Sequence, residues 1–376
     1  MKPTLLQTRR DVLRLAGTSA LALAVTPTLA GCTKTDYDTA ATNARLPDTR
    51  TGQALTNLVR LATLAPSGHN TQPWKFAVAP NEIRIYPDLT RRVPAVDPDN
   101  RELWISLGGA LENLLIAAER AGYQPETVYS LATIGEEHIA VSLRQTGAKP
   151  VEKSLFFDAI PVRQCTRSEY DGKPVAVADL KKLEAAATGA GISPMLFTSA
   201  ATIEPMLDYV NAGNDRQMTD PNFKRELTDW IRFSNGEAIE KMDGLASRAS
   251  GNPSVPRWLA KLFIGSLLNP KTETEKDDKL IRSSSGMMLL VSPKNDKTAW
   301  IETGRAYERF ALLSTAMNLK NAFMNQPCEV PALRAQLQDH LNLNGAFPQL
   351  LFRFGHGPVM PQSLRRPLGQ VLMNPT

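Results

Sequence analysis

The sequence is poor in the residues that stapled or metal-dependent proteins depend on. It has 376 residues but only 3 cysteines and 4 histidines. Three cysteines exclude a scaffold held by disulfides, and four scattered histidines argue against a zinc enzyme. No Walker loop occurs, and no G-x-G-x-x-G follows a strand-like run, so P-loop and Rossmann readings have no anchor. The hydrolase signature G-x-S-x-G is also absent. The apolar stretch Leu15–Leu29 is too short and too weakly hydrophobic for a spanning helix. What remains is a chain with 42% hydrophobic and 22% charged residues, the proportions of a globular protein rather than a disordered or fibrous one. Its length suffices for one large core or two ordinary ones.

Positive charge is less abundant than the net +5 suggests. Residues 1–31 hold Lys2, Arg9, Arg10 and Arg14 against Asp11, so +3 of the +5 sits at the start. The remaining +2 gives a nucleic-acid interface no support. The start itself resembles an export signal. Thr8-Arg9-Arg10-Asp11-Val12-Leu13-Arg14 resembles the twin-arginine motif, an Ala-rich apolar stretch follows, and Leu29-Ala30-Gly31-Cys32 resembles a bacterial lipobox. The resemblance implies a signal peptide over residues 1–31, lipidation at Cys32, and a lipid-anchored place in the periplasm or cell envelope. Residues 32–51 are polar without apolar periodicity, and are expected to form a flexible tether. The twin-arginine route carries folded proteins, often already loaded with cofactor.

From Gly52 the pattern predicts an α+β protein. A helix over 55–62 stops at Pro66-Ser67-Gly68, and a hairpin of strands Trp74–Ala79 and Glu82–Tyr86 turns at Pro80-Asn81. A long helix carries the stripe Leu103, Leu107, Leu111, Leu114, Leu115 and Ala118, followed by strands within 126–134 and 138–144. A second unit opens near Val151. Helices are expected at 177–187, 203–209, 223–233, 257–268, 298–323 and 331–340, and strands at 287–291 and 350–354. Lys271–Lys279 reads as a solvated loop. The long helices open on a shared W-I-x-x-G-x-A, Trp104–Ala110 and Trp300–Ala306, which suggests internal duplication. The expected units are 52–150 and 151–376, with an insert or lid around 200–280.

The sharpest local signal is Ala65-Pro66-Ser67-Gly68-His69-Asn70-Thr71-Gln72-Pro73-Trp74. Ser67, Asn70 and Gln72 can offer donors and acceptors to a flat polar edge, while Pro66 and Gly68 allow close backbone approach. As residues alone, the amides could equally satisfy their own loop. His69 is expected to face solvent. The block resembles the A-P-S-x-x-N-x-Q-P-W stretch of the nitroreductase family of FMN oxidoreductases. That resemblance implies FMN as cofactor, with Pro66, Ser67, Gly68 and Asn70 contacting it. The family's phosphate-gripping R-x-S-x-R/K turn is matched at Arg163-Gln164-Cys165-Thr166-Arg167, with Cys165 where serine is usual. The tail Ser363-Leu364-Arg365-Arg366-Pro367 resembles the family's basic tail, implying Arg365 and Arg366 at the phosphate. Gln326 falls where the family places a loop beside the reactive ring.

The first unit has the amide loop without the Arg turn, and the second has the Arg turn without a clear amide loop. One chain is therefore expected to imitate a nitroreductase dimer, with one composite site in a monomer. This resembles the Acg-like duplicated branch. The implied function is two-electron reduction of a small electron-poor substrate, with the electron donor unnamed and no residue assigned as catalytic. The alternative is a lipoprotein that binds or stores flavin without turnover. Cys165 and Cys328 could pair outside the cytoplasm, which sequence does not decide.

Overall fold

A computed structural model describes residues 33–46, 54–147 and 154–373, except the side chains of residues 266 and 267. The expected export signal and Cys32 lie outside the described residues. The first half contains α1 (Lys34–Asn43), α2 (Ala54–Ala62), β1 (Trp74–Ala79), β2 (Glu82–Pro87), α3 (Arg101–Arg120), β3 (Tyr123–Ser130) and β4 (His138–Gln145). The second begins with α4 (Leu155–Ala159), α5 (Val177–Ala187), β5 (Ser193–Phe197), α6 (Ala200–Thr219) and α7 (Pro221–Trp230). Then come β6 (Ile231–Arg232), α8 (Asn235–Lys241), β7 (Leu245–Ala246), α9 (Arg257–Leu267) and α10 (Pro270–Arg282). It closes with β8 (Gly286–Ser292), α11 (Lys297–Ala316), β9 (Lys320–Phe323), α12 (Gln326–Glu329), α13 (Pro331–His340), β10 (Phe347–Gly355) and α14 (Leu368–Val371).

The fold is α+β, with two four-stranded antiparallel sheets ordered β1-β2-β4-β3 and β5-β8-β10-β9. Their sequences differ as their surroundings require. In the first sheet, Ile83 and Ile85 of β2 and Ile139, Val141 and Leu143 of β4 are buried, with partly or fully exposed residues between them. One face meets the core and the other meets water. β8, Gly-Met-Met-Leu-Leu-Val-Ser, is buried along its whole length. Its two faces supply different clusters: Met288 and Leu290 join the central core, while Met287 and Leu289 pack with α6 and α10.

Between the sheets α3 and α11 cross almost in contact. A Cβ on Gly108 would lie 2.0 Å from the Ile301 carbonyl oxygen, and one on Gly304 would lie 1.9 Å from that of Ile105. The shared W-I-x-x-G-x-A thus has a physical cause, because each copy's glycine admits the other copy's backbone. The two halves share one core rather than forming separate bodies. The C-terminal segment then returns to the first sheet, where the Met373 amide donates to the Phe76 carbonyl at 2.8 Å.

Four sequence expectations change. The expected tether contains α1: Thr33 caps it reciprocally with Asp36, and Tyr37 and Ala41, one turn apart, bury against Ala238 of α8, Ala246 and Leu364. Residues 271–279 are helical, because Asn269 caps α10, Pro270 occupies its first turn, and Leu280 and Ile281 bury at its end. The helix expected over 298–323 stops at Ala316. Asn318 is left-handed (φ 59°), and β9 follows as an edge strand. Strand β5, not expected from the sequence, forms the opposite edge. Trp258 is 68% exposed, whereas Phe233 is buried. Among the described residues no helix is long and apolar enough to cross a membrane.

Candidate cofactor site

The loop after α2 is built from left-handed residues: His69 (φ 49°), Asn70 (φ 53°) and Gln72 (φ 54°) follow Gly68. The Ser67 hydroxyl accepts from the Gln72 amide at 2.9 Å and closes the loop. The side chains of Asn70 and Gln72 serve the loop's anchorage. Asn70 Nδ2 donates to the carbonyls of Gly244 (3.1 Å) and Leu364 (3.3 Å), while Gln72 Nε2 donates to that of Met242 at 3.0 Å. Gly68 sits against α3, and a Cβ there would come within 3.3 Å of Glu102 Oε2.

Two cavities meet at this loop. The larger, about 360 Å³, is bordered on the loop side by Pro66, Ser67, Gly68 and His69. Gln326 and Glu329 of α12 and Glu102 of α3 face it, and Met218, Phe223, Leu227 and Leu268 give it an apolar wall. Its volume lies within the range of small-molecule and cofactor sites. The smaller, about 60 Å³, shares Pro66, Ser67, Arg167, Leu245, Ser250 and Phe323 with the first, so the two adjoin.

The small chamber is lined by four guanidiniums, those of Arg45, Arg163, Arg167 and Arg365, and among the described residues by no carboxylate. Arg163 is 3% exposed. Its Nη2 donates to the Leu64 carbonyl at 2.8 Å, its Nε lies 3.2 Å from Glu308, and its Nη1 has no hydrogen-bond partner. Arg365 donates to the carbonyls of Thr63 (2.8 Å) and Leu64 (3.0 Å) and to Asn70 Oδ1 (3.0 Å). Burial first, then Arg45 and Arg163, holds the Arg365 pKa well below the usual arginine range. Burial and Arg163 likewise push Arg45 down to about 10. These groups hinder one another's charge, and a phosphate dianion in the chamber would relieve that repulsion while accepting charge-assisted hydrogen bonds.

The expected site residues therefore separate. Pro66 and Ser67 border both cavities, Gly68 borders the large one, and Asn70, Arg163, Cys165 and Arg365 border the small one. Arg167 is exposed and reaches both, donating to Ser250 Oγ at 3.3 Å. Gln326 lines the large cavity, its amide nitrogen held by Asn214 (3.1 Å) and Asp277 (3.0 Å). Arg366 lines neither cavity: it donates to the Gln72 carbonyl at 3.0 Å and lies 3.6 Å from Asp88. Cys165 and Cys328 are both free thiols. His69, expected to face solvent, lines the large cavity, and burial followed by Arg167 lowers its pKa to about 4. Arg45 was hidden in the expected tether, where only α1 could have drawn attention to it. Among the described residues no group of three or more His, Cys, Asp or Glu could hold a metal ion.

No family model matches the chain. Three proteins of Mycobacterium tuberculosis (strain H37Rv) are similar to it over most of their length. An uncharacterised protein is 38% identical over 347 residues, covering 85% of this chain and 92% of its own. A protein named "Putative NAD(P)H nitroreductase" is 28% identical over 347 residues, covering 89% and 94%. Another of that name, acg, is 23% identical over 338 residues, covering 87% and 97%. Among solved structures, the FMN-dependent nitroreductase NfnB of Mycobacterium smegmatis, in complex with NADPH, aligns at 10% identity with a TM-score of 0.40, over 59% of this chain and 98% of that one. A nitroreductase with bound FMN from Bacteroides fragilis aligns at 12% identity with a TM-score of 0.34, over 55% and 90%. The chain is thus similar, over nearly the full length of each, to two proteins that bear the nitroreductase name and to a third that does not.

Proposed function

We propose that the chain is an FMN-dependent oxidoreductase of the nitroreductase type, reducing a small electron-poor substrate by two electrons. The observation that carries this reading is the pair of adjoining cavities: a small one walled by four guanidiniums and, among the described residues, by no carboxylate, and a larger one with an apolar wall. Arg45, Arg163, Arg167 and Arg365 would hold the FMN phosphate. The backbone of Pro66–Asn70 and the side chain of Gln326 would border its ring. The flavin, when bound, supplies hydride transfer. The chain's own residues fix the anion, exclude water with Met218, Phe223, Leu227 and Leu268, and leave room for a flat acceptor.

The mutual contact of Gly108 and Gly304 with the opposite helix supports a duplicated ancestry and one site per chain. We further propose export by the twin-arginine route and lipid attachment at Cys32, resting on the motif order Arg-Arg, apolar run, Leu-Ala-Gly-Cys. Loss of acyl incorporation in Cys32→Ser is the expected outcome, read by labelled fatty acid.

The test of the main reading is a visible spectrum of the purified full chain, before and after reconstitution with FMN. A flavin absorbance at one equivalent per chain is expected. Arg167→Ala is expected to weaken FMN binding about tenfold to a hundredfold, the consequence of losing one charge-assisted contact. A chain that takes up no flavin overturns the proposal. A chain that binds flavin but never passes electrons to quinone or nitroaromatic acceptors is the non-catalytic alternative.

A further inference from the structure

One wall of the large cavity carries two carboxyl groups that the flavin reading leaves unused. Glu102, in the first turn of α3, and Glu329, at the end of α12, both line it. Each carboxyl acts on the other across this wall. Two carboxyl groups on one wall repel each other when both are ionised, which favours a proton on one of them. The pair is held from behind. Asn325 Nδ2 donates to Glu102 Oε1, Gln217 Nε2 donates to Glu329 Oε2, and Arg101 Nη2 reaches Glu102 at 3.4 Å. Glu102 also lies against the loop that carries Gly68.

Charged and titratable neighbours come from each element packed around the pair. Asp97 precedes α3 and acts on both carboxyls, with Arg101 opposing it. Arg334 of α13, 3.6 Å from Asp99, and the buried Cys328 stand behind Glu329. Glu273 and Lys276 of α10 also line the cavity. Burial dominates this balance. It raises the Glu102 pKa well above the usual range, reinforced by Glu329, and raises that of Glu329 as well. Interacting this way, the two titrate as a pair rather than independently.

We propose that the Glu102–Glu329 pair is the internal proton donor of the reductive half of the reaction, serving neutral acceptors such as quinones. This rests on the flavin reading above. Hydride added to a quinone, with reduced FMN as its source, leaves a negative charge on a carbonyl oxygen. The carboxyl O–H bond breaks, its proton passes to that oxygen, and the product leaves as the neutral hydroquinone. The carboxylate left behind is held by Arg101, Asn325 and Gln217 until a solvent proton restores the pair. Positioned acid catalysis of this kind contributes roughly 10²–10⁴-fold.

The test uses the full chain loaded with FMN, together with Glu102→Gln and Glu329→Gln, which keep the shape and hydrogen-bonding capacity but not the acid. Reduced protein is mixed with benzoquinone, which needs protons, or with ferricyanide, which takes single electrons and needs none. The expected result is a fall of at least about tenfold in quinone reduction in either variant, with ferricyanide reduction retained. The wild-type quinone rate should decline at high pH as the pair loses its last proton. Equal rates with quinone in variant and wild type, or a parallel fall with both acceptors, overturns the proposal. Should a variant not fold, infrared spectra of FMN-free Glu308→Gln protein, which lacks the other carboxyl raised to about 7, decide at neutral pH. A protonated carboxyl band that shifts in D₂O is expected, and its absence overturns the proposal. That measurement needs no flavin, so a chain that never binds FMN defeats the flavin reading through its spectrum and leaves the proton count to be read separately.

Discussion

Glu308 shows what burial does to a single side chain here. It is fully buried behind Arg163, and burial, opposed by that arginine, raises its pKa from 4.5 to about 7. Between about pH 4.5 and 7 the folded chain holds a proton that the unfolded chain releases. Stability from this group therefore falls as pH rises through that window and levels off above it. Denaturant unfolding at pH 5 and pH 7 should show this slope in the wild type and a flatter one in Glu308→Gln. Arg163→Ala acts on the same pair, removing a counter-charge from a buried carboxyl. A loss of about 3–5 kcal/mol is expected near pH 8, and a smaller one at pH 5, where Glu308 is neutral. Of these residues, Arg163 was legible because a local R-x-C-x-R spacing marked it. Glu308 was not: it lies mid-helix in α11, and only the packing of that helix against Arg163 gives it a partner.

At the scale of elements, α1 and the α3–α11 crossing make opposite points about legibility. Nothing in Lys34–Asn43 reads as amphipathic, since its helix is held by one capping box and two buried residues. Its contribution lies at its end, where Arg45 donates to the Ser363 carbonyl at 3.0 Å and enters the small cavity. Tyr37→Ala is expected to cost about 3–5 kcal/mol through the emptied volume and the lost bond to the Gln362 carbonyl. It should also weaken FMN binding by loosening Arg45, measurable by fluorescence titration. The long helices, in contrast, were visible as stripes, and their repeat pointed at the residues that touch. Gly108→Ala and Gly304→Ala should each lower the melting temperature strongly, because the obstructing atoms are backbone carbonyls that cannot rotate away. α10 was misread because its charges outnumber its buried residues, yet its caps were written in Asn269-Pro270.

For the whole molecule, the site joins segments far apart in sequence: residues 45, 66, 67, 70, 163–165, 167 and 365 meet at one small cavity. A ligand bridging them should stabilise the entire fold. FMN at a hundredfold excess over its dissociation constant should add about 2.7 kcal/mol, seen as a rise in melting temperature that Arg167→Ala diminishes. The sequence by itself determined the α+β class, most helices and strands, the amide loop, the Arg turn and the basic tail. Those depend on short-range patterns: period, capping, turn residues and local motifs. Tertiary structure alone decided which of the two tail arginines reaches the cavity. Arg365 does, while Arg366 turns to Gln72 and Asp88. It also decided that Arg45 joins the cluster, that His69 faces the cavity, and that Glu102 and Glu329 meet on one cavity wall. Each of these depends on the distance between side chains from separate elements, and charge interactions in a buried site are set by that distance and by the exclusion of water.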